Sequence, residues 1–173
     1  MAYISFNPKD FFNTVLFSGT AAGQSITGVG FQPDFVWGKS ILVTGNHQLL
    51  DAVRGVGKPL ESDTDDAEAS DPGSSLSSFD SDGFTLAGGS AFNPSGTNNV
   101  ISYNWKAGTS TGVDFSAGDI TPSAYSINTT SGIGIYKYTG PGTVGGDTLA
   151  HNLGVTPKLV IVKRLSDDYS WAV

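Results

Sequence analysis

Apolar residues in this chain recur at every second position, and no window of a dozen residues carries apolar spacing of three and four. Val100-Ile101-Ser102-Tyr103-Asn104-Trp105-Lys106 sets the pattern, with Ile101, Tyr103 and Trp105 on one side and Ser102, Asn104 and Lys106 on the other. Side chains alternate across a strand, so a period of two predicts a strand with one wet face. The apolar side, Ile101-Tyr103-Trp105, is the side expected to face the core. Residues 11–17, 34–39, 48–53 and 133–138 carry strand signals as well. Leu159-Val160-Ile161-Val162 is apolar on both faces, which predicts an inner strand covered on each side. Phe79 and Phe84 flank Asp80-Ser81-Asp82-Gly83, a hairpin turn in which Gly can take a left-handed conformation. At most a helical turn is expected, near 63–69. Short strands set apart by turn residues at roughly 8–12-residue spacing predict an all-β fold, a sandwich or jelly roll.

One segment of the chain occurs twice. Gly30-Phe31-Gln32-Pro33-Asp34-Phe35-Val36-Trp37-Gly38-Lys39 returns as Gly154-Val155-Thr156-Pro157-Lys158-Leu159-Val160-Ile161-Val162-Lys163. Upstream, Val15-Leu16-Phe17-Ser18-Gly19 matches Tyr136-Lys137-Tyr138-Thr139-Gly140, and Ile26 matches Leu149. A repeat at domain spacing predicts similar modules in series. The expected organisation is a docking segment at 1–10, a first sandwich at 11–107, a Gly/Ser/Thr-rich linker at 108–130 and the opening strands of a second module at 131–173. The second copy breaks off early, so the natural protein is expected to be longer. Its strands should pair with the first module, with another chain or with further residues.

Composition narrows the class. Gly supplies 23 of 173 residues, about twice the usual ~7 % share, and only 14 % of residues are charged against a typical ~25 %. Net charge is −7, with nine Lys and Arg and no basic run beyond Lys163-Arg164, so no footprint for a nucleic-acid backbone is expected. The chain has no Cys, hence neither a disulfide framework nor a Cys-based zinc site. No apolar run approaches the roughly 18 residues of a membrane helix, and no signal peptide opens the sequence. Synthesis in a cytoplasm is expected, with lysis as one route out.

Four blocks then occur in order: Gly-x-x-Pro-x-apolar-apolar-apolar-x-Lys, Asp51-Ala52-Val53-Arg54-Gly55, Ser78-Phe79-Asp80-Ser81-Asp82-Gly83-Phe84-Thr85-Leu86 and Ser102-Tyr103-Asn104-Trp105-Lys106-Ala107-Gly108. In this the chain resembles a repeated-module family of tailed-phage virion proteins, common in marine and cyanobacterial phages and labelled tail fibre or structural protein. The resemblance implies concanavalin-A-like sandwich modules in a non-enzymatic virion component of the tail or its fibres, with attachment to a host surface as a further role. It implies partners among other virion proteins and copies of itself, as a trimer or other symmetric oligomer. It carries over no catalytic residue and no cofactor. Gly38, where the second copy has Val162, departs from the repeat. A head-decoration protein and a lectin-like carbohydrate-binding module, with or without calcium, are the alternatives.

Candidate chemistry is sparse. Asp63, Asp65 and Asp66 sit at spacings that suit a calcium loop, but an EF-hand register would need Gly at Glu68 and Glu at Ser74. Glu61, Asp63 and Asp66 mimic the acids of a sandwich glycosidase, yet Ser and Thr separate them and the region reads as a solvated loop. His47 and His151 lack both a Cys and a Gly-x-Ser-x-Gly elbow, and read as structural. Trp37, Trp105 and Trp171 could stack on sugars; Trp37 and Trp105, on the apolar side of their strands, are expected in the core. A particle component calls for buried Trp37 and Trp105, a lectin for an exposed aromatic cluster. Asp51 and Arg54 are expected to pair with each other. Asn128-Thr129-Thr130 is a formal glycosylation sequon.

Overall fold

A computed structural model describes residues 7–71, 75–88, 92–142 and 145–173. The fold is all-β. Five strands, β1 (Phe12–Gly19), β3 (Phe35–Ser40), β4 (Gln48–Asp51), β5 (Leu60–Glu61) and β8 (Gly96–Trp105), form one antiparallel sheet in the order β1-β8-β3-β4-β5. Three more, β2 (Gln24–Ile26), β6 (Leu76–Asp80) and β7 (Gly83–Leu86), form a second sheet in the order β2-β7-β6. Phe17, Val36, Leu50 and Val100 from the first meet Ile26, Leu76, Phe84 and Leu86 from the second in a single buried cluster. Each such side chain contributes about 1.5–3 kcal/mol on leaving water. The two sheets thus make the sandwich that the strand pattern predicts.

The β6–β7 hairpin forms where the Asp-Ser-Asp-Gly turn places it. Gly83 is required there: its φ is 151° and a Cβ would stand 2.0 Å from the Ile26 carbonyl oxygen. Asp82 at the tip accepts from the N–H groups of Gly28 and Gly30, which ties the loop after β2 to the hairpin.

β8 runs between β1 and β3, and its alternation is as read, but its faces are exchanged. Val100, Ser102 and Asn104 face inward and are fully buried, whereas Tyr103 is 37 % exposed and Ile101 and Trp105 are half-buried on the outside. β3 does the same, with Val36, Gly38 and Ser40 inward and Phe35, Trp37 and Lys39 outward. The expected burial of Trp37 and Trp105 in the core is therefore corrected. Phe92, from the β7–β8 connection, is the physical reason. Its ring fills the interior over β3, stacked on Phe84 at 5.9 Å and edge-on to Phe17 at 6.2 Å. A Cβ at Gly38 would sit 1.8 Å from a carbon of that ring. With the volume taken by Phe92, β3 and β8 can turn only small side chains inward. Inside, the Asn104 side chain donates to the Asn13 carbonyl and the Ser102 hydroxyl.

The rest of the chain builds a smaller unit. β9 (Ala124–Asn128) and β10 (Ile133–Lys137) form a hairpin, with Phe115, Ile127 and Leu153 buried beneath it. Residues 108–130, expected as a linker, thus include a strand and two core residues, Phe115 and Ile127, with Tyr125 packed against them, because these side chains have the apolar area to bury. Leu159–Val162 is not the covered inner strand that its composition predicts. Leu159 is 66 % exposed and Val160 59 %, and the segment makes only one bridge, from Val162 to Ala172. No helical turn forms near 63–69. Of the expected docking segment, residues 1–6 lie outside the described residues, and Pro8–Asp10 is a 3-10 turn capped by Asn7.

Candidate functional site

Exchanging the faces of β3 and β8 puts aromatic side chains outside. The register aligns Phe12, Trp105 and Phe35 in one row across β1, β8 and β3, and Thr14, Tyr103 and Trp37 in the next. A third row carries Leu16, Ile101 and Lys39. Trp105 is the hub: its ring centroid lies 4.9 Å from Phe12, 5.3 Å from Phe35 and 6.5 Å from Tyr103. Such tilted contacts are favourable, at about 0.5–1.5 kcal/mol per pair, and hold the rings in fixed orientations. Phe12 stays 38 % exposed and Leu16 54 %. Contiguous apolar surface of this kind marks an interaction site, and Trp and Tyr are the side chains that most often dominate binding energy.

The rim is polar and ordered. Trp37 donates its indole N–H to His47 Nδ1 at 3.0 Å, which fixes both rings at the edge of the aromatic field. Lys39 donates to the Gly45 carbonyl. This surface can stack flat apolar or sugar rings and offer hydrogen bonds at its border.

Among the remaining sequence candidates, Asp63 is engaged through its carboxylate, and Asp65 and Asp66 through backbone groups. Asp63 accepts from the His47 backbone N–H at 2.9 Å, and the Asp65 carbonyl accepts from Tyr169 N–H at 2.8 Å. Asp66 uses its backbone N–H on Thr64. Among the described residues no three His, Cys, Asp or Glu converge as a metal site would require, so Asp63, Asp65 and Asp66 do not assemble into a calcium loop. Glu61 accepts from the side chains of Asn46 and Gln48. His151 accepts from Leu153 N–H. Trp171 donates to the carbonyls of Glu61 and Thr64, which pins the C-terminal segment to the acidic loop. Asn128 stabilises the turn after β9, accepting from Thr130 and Ser131 N–H groups.

Asp51 and Arg54 do pair. Arg54 Nε lies 2.5 Å from Asp51 Oδ2, and the guanidinium also donates to the carbonyls of Leu49 and Lys58 and to Glu68. Four of its five N–H donors are used on the chain itself, so the group shapes the loop after β4.

A second concavity of about 500 Å³ opens where the sandwich meets the β9–β10 hairpin, with Asp34, Lys106, Ser110 and Tyr125 on its walls. Asp34 was legible only as part of a strand. Its carboxylate is buried, accepting from Ala107 N–H at 2.8 Å and from the Ser126 hydroxyl at 3.0 Å. It serves as a joint between the two units.

The chain belongs to the DUF7483 family, described as a domain of unknown function, whose model matches residues 7–173. No curated protein and no solved structure gives a significant match.

Proposed function

We propose that this chain is a non-enzymatic structural and adhesive component of a tailed-phage particle, part of the tail or tail fibre, that makes contact through the aromatic face of its five-stranded sheet. The observation that carries the contact surface is the outward row Phe12–Trp105–Phe35 with Tyr103 and Trp37 beside it. The four ordered sequence blocks and the repeated first block support the virion setting, while the outward Trp37 and Trp105 favour surface contact over a purely structural role. A disulfide-free sandwich with a Gly-rich, weakly charged composition suits a rigid module made in a cytoplasm and released by lysis. Modules in series would multiply weak contacts with a host surface through avidity.

Two partners suit an aromatic sheet face. One is the same face of another copy, in a closed symmetric assembly. The other is a host-surface glycan, and the exposure of the aromatic cluster favours this second reading, because stacked rings with a polar rim are what a sugar needs. Both share one surface and one test. The chain is titrated with host-surface polysaccharide under tryptophan fluorescence, and its own association is followed by sedimentation. Trp105→Ala should weaken whichever contact is seen by at least about tenfold, the scale of a hot-spot side chain. Peptides of this chain should also be found by mass spectrometry in purified particles. Absence from particles overturns the virion setting; binding and association that ignore Trp105→Ala overturn the contact surface.

A further inference from the structure

The repeat aligns Phe35-Val36-Trp37-Gly38-Lys39 with Leu159-Val160-Ile161-Val162-Lys163, and the two copies have opposite surroundings. In the first, β3 lies between two strands, paired to β8 on one edge and β4 on the other. Its inward Val36 is fully buried. In the second, Leu159, Val160, Ile161 and Val162 are 66, 59, 48 and 39 % exposed, so both faces of an apolar run meet solvent. Among the described residues, the backbone groups from Lys158 to Ile161 make no hydrogen bond within the chain; only Val162 is bridged, to Ala172. The segment is held at its end, where Glu68 N–H bonds to the Leu165 carbonyl, Tyr169 N–H to the Asp65 carbonyl and Trp171 to the loop after β5. It is anchored and bare.

The first copy shows what covers such a strand. We infer that Lys158–Lys163 is an acceptor strand that takes an added antiparallel strand of the β8 type: an extended segment with apolar or aromatic residues at alternate positions and Ser or Asn between them. The β3–β8 register fixes the expected pairing. Trp105 lies opposite Phe35, Asn104 opposite Val36, Tyr103 opposite Trp37, Ser102 opposite Gly38 and Ile101 opposite Lys39. Transferred to the second copy, Leu159 meets the Trp of the incoming strand, Val160 its Asn, Ile161 its Tyr and Val162 its Ser. Small polar residues on the inner side of the donor leave room for the larger inner residues of this copy. Val162 stands where Gly38 makes way for Phe92, so the inner volume that Phe92 occupies in the first module is partly supplied by the acceptor strand itself. Recognition by strand addition draws its affinity from main-chain bonds and its specificity from alternate side chains, which is the information β8 carries. This inference rests on the repeat and on bare backbone, and stands apart from the aromatic face of the first module.

The test uses the whole chain and a synthetic peptide of residues 96–107, with a control peptide of the same composition whose alternation is scrambled. Hydrogen exchange is read residue by residue. Without peptide, amides at 159–161 should exchange at close to the unprotected rate. Saturating β8 peptide should slow alternate amides there at least about tenfold, with no change in β1 or β3, and the control should do nothing. In a strand, successive N–H groups point to opposite edges. One of Val160→Pro and Ile161→Pro should therefore weaken peptide binding at least about tenfold and the other much less, while the unfolding of the sandwich is unchanged because both residues are exposed. The inference is overturned if the peptide fails to protect 159–163, or protects only by displacing β8 from the sandwich. It is overturned equally if those amides are already slow without peptide, either in the monomer or by pairing of the segment with itself at high concentration.

Discussion

Ser126 donates its hydroxyl hydrogen to the Asp34 carboxylate at 3.0 Å, joining two positions 92 residues apart in the chain. The same carboxylate accepts from Ala107 N–H, and Ser126 Oγ accepts from Gly108 N–H at 2.7 Å. These four groups form the joint between the sandwich and the β9–β10 hairpin. Asp34→Ala leaves the buried Ala107 N–H without a partner, and Ser126→Ala removes a charge-assisted bond to the carboxylate and strands the Gly108 N–H, so each should cost about 1–3 kcal/mol in urea denaturation. Because the residues share one network, the double variant should lose less than the sum of the singles. Strict additivity would show that the joint does not couple the units.

Gly38 and Phe92 define the interior of the sandwich. Phe92→Ala should cost about 3–5 kcal/mol by opening a cavity. Gly38→Val, the residue the second copy carries, drives a branched side chain into the ring and should cost at least the ~1–3 kcal/mol of ordinary overpacking. Combining the two should restore part of the loss, since the valine then occupies the space the ring leaves. A melting series on the three variants decides it; a double variant no better than the worse single would mean that the ring is not what excludes a side chain at Gly38.

Arg54 is a structural cation. Its side chain and that of Asp51 are each 6 % exposed, and its remaining donors hold the carbonyls of Leu49 and Lys58. Removing one member of a buried pair strands the other, so Arg54→Met should cost about 3–5 kcal/mol. Arg54→Lys should recover little, because an ammonium cannot span four acceptors lying in different directions. Full stability in Arg54→Lys would refute this account.

Stability should fall at both ends of the pH scale, for different reasons. Backbone hydrogen bonds from Gly28 and Gly30 hold Asp82 below its ordinary value of 3.8, and bonds from Thr148 do the same for Asp119. A depressed folded value means that stability is present above 3.8 and is lost as pH falls through the folded value. Asp82→Asn should flatten the acid side of the stability curve, and an unchanged slope would contradict the latch.

Tyr136 acts at the other end. Burial pushes its phenol up from 10.0 to about 12, and its hydroxyl donates to the His151 carbonyl. A raised value means that stability is full below 10.0 and is lost as pH rises toward 12. Tyr136→Phe should remove this alkaline loss. Exchange or fluorescence that locates the loss in the sandwich instead of the β9–β10 unit would exclude Tyr136 as its source.

Much of the architecture was legible in local pattern. Strand positions in β1, β3, β4, β8 and β10, the β6–β7 hairpin and the Asp51–Arg54 pair all follow from alternation, turn chemistry and short spacing. The candidate site was not. Tyr103, Trp105 and Trp37 could be identified as sharing a side of their strands, but were assigned to the inside. Phe12 and Phe35 carried no signal as site residues until register placed them beside Trp105.

The sequence by itself determined which side chains share a face, since that depends only on the period of two along each strand. It also determined that one segment is repeated, and that no Cys chemistry is present. Only the tertiary structure decided which face is buried. Phe92, remote in sequence and outside any strand, occupies the interior volume over Gly38, so β3 and β8 must turn their large rings outward. The fate of Leu159–Val162 was decided the same way. Its composition specifies a covered strand, yet burial is a property of neighbours: on the β4 side only the Val162–Ala172 bridge matches the Gly38–Gln48 pair, and β8 has no counterpart among the described residues.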